Sequence, residues 1–331
     1  MWRRKLLDKP NQAKASQVKL NSEKSLLLCG SSHPGLAEEV SKLLSLPIAP
    51  LTLLKFPDGE QRVQLQVDVL GKQVFVIQSL AKAPNELLIE TLLLVDALRR
   101  QGAKRIVLVS PYLAYSRQNV QETEGYSVAA RLFADFLQKA GVDHLITIDL
   151  HSDVVGSFYT FPVEHLTARD ALLGELIKQK VFDSNFVIVG PDLGSAKLAA
   201  RFSKESGCSL ALIQKRRDSA RQVTMLSLLG EVSGKNVLLA DDVCSTAGTL
   251  TSASFICREK GAKKIFAVVS HGLFVEEALS RIEESPIERL FVSDSVPLDP
   301  KAAKSTKICV ISIAKVLATS LSRLIERFEE Q

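Results

Sequence analysis

Short β-branched apolar runs alternate with helical stretches along the whole chain, and no other feature narrows the possible folds so far. The runs Ser25 to Cys29, Val74 to Gln78, Ile106 to Ser110, Leu145 to Asp149, Phe186 to Val189, Leu210 to Ile213, Val237 to Ala240, Ile265 to Ser270 and Arg289 to Val292 read as strands. Near-continuous apolar runs of this kind belong to parallel sheets that helices cover on both faces. Between them, stretches such as Asn85 to Gln101 and Ser127 to Ala140 repeat apolar residues at helical spacing. The expected class is α/β, with largely parallel sheets flanked by helices.

A chain of 331 residues is too long for one ordinary core and suits two. An internal echo points the same way. Gly102-Ala103-Lys104-Arg105-Ile106-Val107-Leu108-Val109-Ser110 returns as Gly261-Ala262-Lys263-Lys264-Ile265-Phe266-Ala267-Val268-Val269-Ser270. In each copy a helix ends at Gly, a basic pair follows near the negative helix terminus, and a buried strand begins. Two similar domains are therefore expected, over residues 25–165 and 166–325, after a leader of residues 1–24. Any helix-Gly-strand junction can share this pattern, so the echo does not establish the repeat by itself.

The net charge of +5 is unevenly placed. Residues 1–24 hold seven of the 42 basic residues and two of the 37 acidic ones, which leaves 35 of each in the remainder. A balanced body argues against a nucleic-acid-binding face. The basic leader leaves two readings open, a solvated segment of a cytoplasmic protein and an organellar transit peptide. No run approaches the length of a membrane-spanning helix. Five scattered cysteines, Cys29, Cys208, Cys244, Cys257 and Cys309, contain no CxxC pair and read as reduced thiols.

The strongest chemical signal is Val237-Leu238-Leu239-Ala240-Asp241-Asp242-Val243-Cys244-Ser245-Thr246-Ala247-Gly248-Thr249-Leu250. A buried strand runs into two acids, then into small and hydroxyl residues, then into a helix. Backbone N–H groups at the helix start, with the hydroxyls of Ser245, Thr246 and Thr249, would form a concave site for a monophosphate. Asp241 and Asp242 stand at the strand's carboxyl end, where ligands of open α/β sheets gather. Paired acceptors beside a phosphate cradle suit the vicinal hydroxyls of a sugar phosphate. The plainer alternative is a strand-to-helix turn with Ser245 or Thr246 as N-cap and two solvated acids.

This run resembles the ribose 5-phosphate loop of ribose-phosphate diphosphokinases (PRPP synthases), whose usual form is two Asp, two variable residues, then Asp-Thr-Gly-Gly-Thr. The likeness extends from about Leu26 to Leu324. It includes Phe56-Pro57-Asp58-Gly59-Glu60, Ser110-Pro111-Tyr112-Leu113-Ala114-Tyr115-Ser116-Arg117-Gln118, Asp149-Leu150-His151-Ser152-Asp153, Gly190-Pro191-Asp192-Leu193-Gly194 and Lys215-Arg216-Arg217. The resemblance implies two domains of the phosphoribosyltransferase type. It also implies transfer of the β,γ-diphosphate of ATP to the C1 hydroxyl of ribose 5-phosphate, giving 5-phosphoribosyl 1-diphosphate and AMP.

On the same basis each matching position takes a role. Asp241, Asp242, Ser245, Thr246, Ala247, Gly248 and Thr249 would bind ribose 5-phosphate. Lys215 and Arg217, at the edge of a polar loop over Asp218 to Gln222, would reach the ATP phosphates in the transition state. Spreading positive charge over developing negative charge is how such transfers are catalysed. Arg117 and Gln118 would bind ATP, and His151 and Asp192 would hold Mg²⁺ directly or through water. Phe56, Asp58 and Glu60 would contact adenine from a neighbouring subunit, which calls for a homo-oligomer built on dimers, up to a hexamer. Read alone, Phe56 fits a core and Asp58-Gly59 a hairpin turn equally well.

The chain departs from the family pattern in places. After Gln118 the family continues with basic residues, whereas this chain reads Asn119-Val120-Gln121-Glu122-Thr123-Glu124-Gly125. In related enzymes that loop helps hold ATP phosphates and an allosteric phosphate or ADP site, so the departure puts both in question. Ser245 replaces the usual Asp of the phosphate loop, and Ala247 its first Gly. Two further readings follow. One is a weak or silent homologue that assembles with an active synthase and regulates it. The other is a phosphoribosyltransferase with a base as acceptor, against which the Phe56 to Glu60 and Arg117-Gln118 segments argue.

Overall fold

The computed structural model describes residues 24–179, 185–218 and 223–330, without the side chains of 215–218 and 223–226. The expected leader up to Glu23 and residues 219–222 of the loop expected over Asp218 to Gln222 lie outside the described residues, while Asp218 is the last residue of a strand.

The first half runs β1 (Ser25–Cys29), α1 (Pro34–Leu44), β2 (Leu51–Lys55), β3 (Gln61–Leu65), β4 (Gln73–Ile77), α2 (Pro84–Arg100), β5 (Arg105–Ser110), α3 (Ala129–Ala140), β6 (His144–Ile148), β7 (Val163–Leu166) and α4 (Arg169–Lys178). The second runs β8 (Phe186–Gly190), α5 (Ala196–Ser206), β9 (Ser209–Asp218), β10 (Val223–Leu229), β11 (Asn236–Cys244), α6 (Gly248–Glu259), β12 (Ile265–Gly272), α7 (Ala278–Glu284), β13 (Arg289–Ser293), β14 (Ile308–Ile311) and α8 (Ala314–Glu329). The order of elements in the two halves is the same. Strands β1-β4-β5-β6-β7 form one parallel sheet, and β10-β9-β8-β11-β12-β13-β14 form a second, parallel except for β10. The hairpin β2-β3 stands apart from the first sheet, whereas its counterpart β9-β10 joins the second.

The echo in the sequence corresponds to a repeated junction. Gly102 and Gly261 both take positive φ, 78° and 84°. Their carbonyls accept from Gly71 and Gly234, each at 2.9 Å, and Lys104 and Lys263 donate to Lys72 and Lys235, each at 2.8 Å. A left-handed residue is needed to end the helix and enter the strand in so few residues, and only glycine adopts it without a Cβ clash.

Period-two alternation in the strands divides the core into three layers. Leu27, Phe75, Ile77, Val107 and Val109 face the same middle layer as Leu238, Ala240, Phe266 and Val268 of the other sheet, and α1, α4, α5 and α8 fill it. The opposite strand faces pack outward, against α2 and α3 in the first half and α6 and α7 in the second. The halves are thus joined through shared apolar packing. Polar contacts along the seam add to it: His33 Nε2 to the Asp294 carbonyl at 2.6 Å, Ser79 Oγ to the Ser295 carbonyl at 2.6 Å, and Lys82 Nζ to the Pro297 carbonyl at 2.8 Å.

Candidate functional site

The loops after β6, β8 and β11, together with the segment after β5, bring the expected site residues to the seam between the halves. Strand β11 continues past its expected end at Ala240, because β12 runs on beside it: Val243 pairs with His271 and Cys244 with Gly272. Asp241 and Asp242 are therefore fixed on a hydrogen-bonded strand rather than in a loop. Beyond Cys244 the turn is braced from the segment after β12, where Val275 N–H donates to the Ser245 carbonyl and Arg281 Nη1 to the Thr246 carbonyl, each at 3.1 Å.

Helix α6 then starts at Gly248. Neither Ser245 nor Thr246 caps it; Ala247 occupies the cap position with a left-handed φ of 61°, and no side chain caps the helix. The reason is positional, since Ala immediately precedes the first helical residue and carries no side-chain acceptor. Among the described residues no side chain caps the N–H groups of the first turn, which includes Thr249, and an uncapped helix start suits an anion.

Across the seam, His151 Nδ1 lies 2.6 Å from Asp242 Oδ2. That hydrogen bond raises the imidazole above its usual range, against the effect of burial, and the Arg117 charge lowers it while Asp192 raises it. Burial would neutralise Asp242, but the bond and charge of His151 hold its carboxyl below the usual range. Burial, with the charges of Asp242 and Asp192, pushes Asp241 the other way, well above that range. Asp192 is pinned in the loop after β8, where its Oδ1 accepts from Ser195 N–H at 2.9 Å and its carbonyl accepts from Ser195 Oγ at 2.8 Å. His151, Asp192, Asp241 and Asp242 thus form a chain of charge interactions, and Arg117 acts on its His151 member.

This donor set fits a hard divalent cation. Burial, and after it the charges of Asp242 and Asp192, pushes Asp241 toward its protonated form, and a cation would offset the part due to the neighbouring carboxylates. Among the described residues no group of three His, Cys, Asp or Glu converges at ligand distance. The protein would supply part of a coordination shell, with water and phosphate oxygens supplying the rest, as Mg²⁺ sites commonly do.

The remaining expected residues stand beside this cluster or away from it. Arg117 and Gln118 are exposed after a turn in which Gln118 N–H donates to the Tyr115 carbonyl, and Ala130 N–H at the start of α3 donates to the Gln118 carbonyl. The acidic stretch that follows is exposed from Val120 through Ser127. Phe56, Asp58 and Glu60 form the exposed tip of β2-β3, where Phe56 and Glu60 pair through Phe56 N–H at 2.8 Å and Gly59 takes φ 96°. The hairpin turn is real, and a core position for Phe56 is not. Lys215 and Arg217 lie within β9, opposite Leu226 and Thr224 of β10; their side chains are outside the described residues.

Asp149 was legible in the sequence only as a strand end. It follows β6 with a left-handed φ of 36° and bonds into the second half through Ser270 and His271. A polar residue just past a buried parallel strand was the available signal.

Comparison with known proteins identifies the family and the fold. A family described as the N-terminal domain of ribose phosphate pyrophosphokinase matches residues 25–141, and a phosphoribosyl synthetase-associated domain matches residues 205–329. The ribose-phosphate pyrophosphokinase of Burkholderia pseudomallei is 37% identical over 300 residues, covering 90% of this chain and 94% of that protein. That of Aquifex aeolicus is 37% identical over 300 residues, covering 91% and 96%. The crystal structure of phosphoribosylpyrophosphate synthetase from Mycobacterium smegmatis superposes with a TM-score of 0.87 at 32% identity, covering 92% of this chain and 99% of that one. With its repeated α/β halves, its acid pair ahead of an uncapped helix, and these matches across nearly its whole length, the chain belongs to the ribose-phosphate pyrophosphokinase family.

Proposed function

We propose that this chain is an active ribose-phosphate pyrophosphokinase, which transfers the β,γ-diphosphate of ATP to the C1 hydroxyl of ribose 5-phosphate and releases AMP. The observation that carries the reading is the His151–Asp242 bond across the seam, set beside the uncapped start of α6. One wall offers acceptors for sugar hydroxyls and donors for a monophosphate. The facing loops offer a cation and a metal-binding pair.

In this reading Asp241 and Asp242 orient the ribose hydroxyls, and Ser245, Thr246, Ala247, Gly248 and Thr249 hold the 5-phosphate. Arg117 and Gln118 bind ATP. Lys215 and Arg217, carried on β9, place positive charge on the transferred group; removing one such donor from a transfer site lowers kcat by about 10²–10³-fold. His151 and Asp192 hold Mg²⁺, which when bound neutralises phosphate charge during the transfer. The exposed tip carrying Phe56, Asp58 and Glu60 is free to reach adenine in a neighbouring subunit, so the working unit is a homo-oligomer built on dimers. The two domains are taken over residues 25–165 and 166–325, a boundary that falls at the end of β7 and counts α4, which packs in the core layer shared by both sheets, with the second domain; the enzyme works in the cytoplasm.

The test is AMP formation by the purified protein. It should require ribose 5-phosphate and Mg²⁺ together, and arginine 217 replaced by alanine (Arg217→Ala) should abolish most of it. Absence of sugar-dependent AMP from the intact protein would overturn the proposal.

A further inference from the structure

Strand β6 ends at Ile148, and the chain must turn sharply to present His151 to the other half. Asp149 makes that turn with φ 36°, a conformation in which Asp and Asn are among the few side-chain-bearing residues tolerated. Such a backbone persists where its surroundings over-determine it, and here they do. Asp149 N–H donates to the Leu166 carbonyl at 2.9 Å. Its carboxylate oxygen Oδ2 accepts from Ala168 N–H at 3.0 Å and from Ser270 Oγ, across the seam, at 2.6 Å. Its carbonyl lies 3.1 Å from His271 Nε2.

A carbonyl can only accept, so Nε2 carries the ring proton of His271 and Nδ1 is the acceptor. Ser295 Oγ lies 2.8 Å from Nδ1 and 3.0 Å from the Ser270 carbonyl, so its single proton has both as acceptors. The Ser295 carbonyl in turn accepts from Ser79 Oγ of the first half, and Tyr112 meets the His271 ring edge-on at 5.1 Å between centroids. Ser270, His271 and Ser295 are all buried. The ring therefore has a fixed tautomer and a fixed orientation. One residue on, Leu150 N–H donates to His165 Nε2 at 2.8 Å, and the next side chain, His151, reaches Asp242.

We propose that Asp149 is a positioning residue, held by a clamp from the second half (Ser270, His271 and Ser295) so that His151 is delivered to Asp242. This rests on the reading that the His151–Asp242 pair serves diphosphate transfer. Asp149 acts through His151, and that sets it apart from a residue that merely stabilises the seam.

The experiment is a double-mutant cycle with a conservative rescue. Asp149→Ala is expected to lower kcat by about tenfold or more, with KM for ribose 5-phosphate changed by less than about threefold. Asp149→Asn, which tolerates the left-handed backbone and keeps an acceptor for Ala168 N–H, is expected to recover most of that loss. In a His151→Ala background, Asp149→Ala should cost nothing further, because the group it positions is gone. Crystal structures of the metal-free Asp149→Ala and Ser270→Ala proteins should show His151 beyond hydrogen-bond reach of Asp242 with β6 and α4 in place.

An Asp149→Ala loss that multiplies with the His151→Ala loss overturns the proposal, as does a His151 that stays on Asp242 in both crystals. If Asp149→Ala does not fold, Ser270→Ala, which removes one hydroxyl, enters the same cycle. If the parent protein forms no AMP, the proposed function fails, and the crystal structures alone decide the clamp.

Discussion

Asp242 is a carboxylate that burial would neutralise and that His151 keeps charged. Hydrogen bonds to charged groups are worth about 1.5–3 kcal/mol, so Asp242→Asn should lower kcat/KM for ribose 5-phosphate by about 10–100-fold. Steady-state kinetics with varied sugar check this, and an unchanged ratio would remove Asp242 from the site. Gly30 shows the opposite kind of constraint, one of space. A Cβ there would lie 2.3 Å from Gln78 Oε1. That amide cannot swing aside, because it is buried, donates to Glu90 Oε1 at 2.7 Å and accepts from Ser32 N–H at 3.2 Å. Gly30→Ala is expected to destabilise the protein by about 1–3 kcal/mol, read as a lower urea midpoint. The acids of the site were visible in the sequence because a pair at the end of an apolar run is chemically conspicuous. The partners of Gly30 and Asp149 were not, because they arrive from strands far away in sequence.

Among the elements, α8 does most to join the halves. Its Leu317, Leu321, Leu324 and Ile325 recur at helical spacing and enter the core layer shared with α1. Leu321 is wholly buried, so Leu321→Ala should cost about 2–5 kcal/mol. Because that layer touches both sheets, the loss should appear as one shifted unfolding transition in calorimetry; two separated transitions would show that the halves unfold independently. The nine strands expected from apolar runs are all present, with ends displaced by a few residues at most except in β9 and β11. Both of these lengthen where a neighbouring strand offers hydrogen-bonding partners, which is information absent from the run itself. The hairpin β2-β3, the edge strand β10 and the short strands β7 and β14 were not marked by buried apolar runs. The exposed or half-exposed pattern of β2-β3, β7 and β14 explains why.

For the molecule as a whole, the seam carries a pH dependence. His33 Nδ1 caps α1 by accepting from Leu36 N–H, and its Nε2 meets the Asp294 carbonyl. Burial holds this imidazole below its usual value, against the raising effect of the Asp294 carbonyl and charge. The folded state is then the weaker proton binder, so the contribution of His33 is complete above the unfolded value of about 6.5 and falls as pH drops through the window beneath it. His33→Gln keeps a donor and an acceptor but no titration. Between about pH 7 and 5.5 the parent should therefore lose more stability than the variant, by up to about 1.4 kcal/mol per pH unit, as measured by urea unfolding at both pH values. Equal losses would assign the acid response elsewhere. The residue order by itself determined the α/β class and the run from Val237 to Leu250 and only suggested the repeated halves, because alternation of apolar segments and a strand-acid-hydroxyl-helix order are local properties of a chain. Only the tertiary structure decided that His151 meets Asp242, that α6 goes uncapped behind a left-handed Ala247, and that the two sheets share one core. Those depend on which strands become neighbours, and neighbouring is settled by burial and hydrogen bonding across the whole molecule rather than by any segment within it.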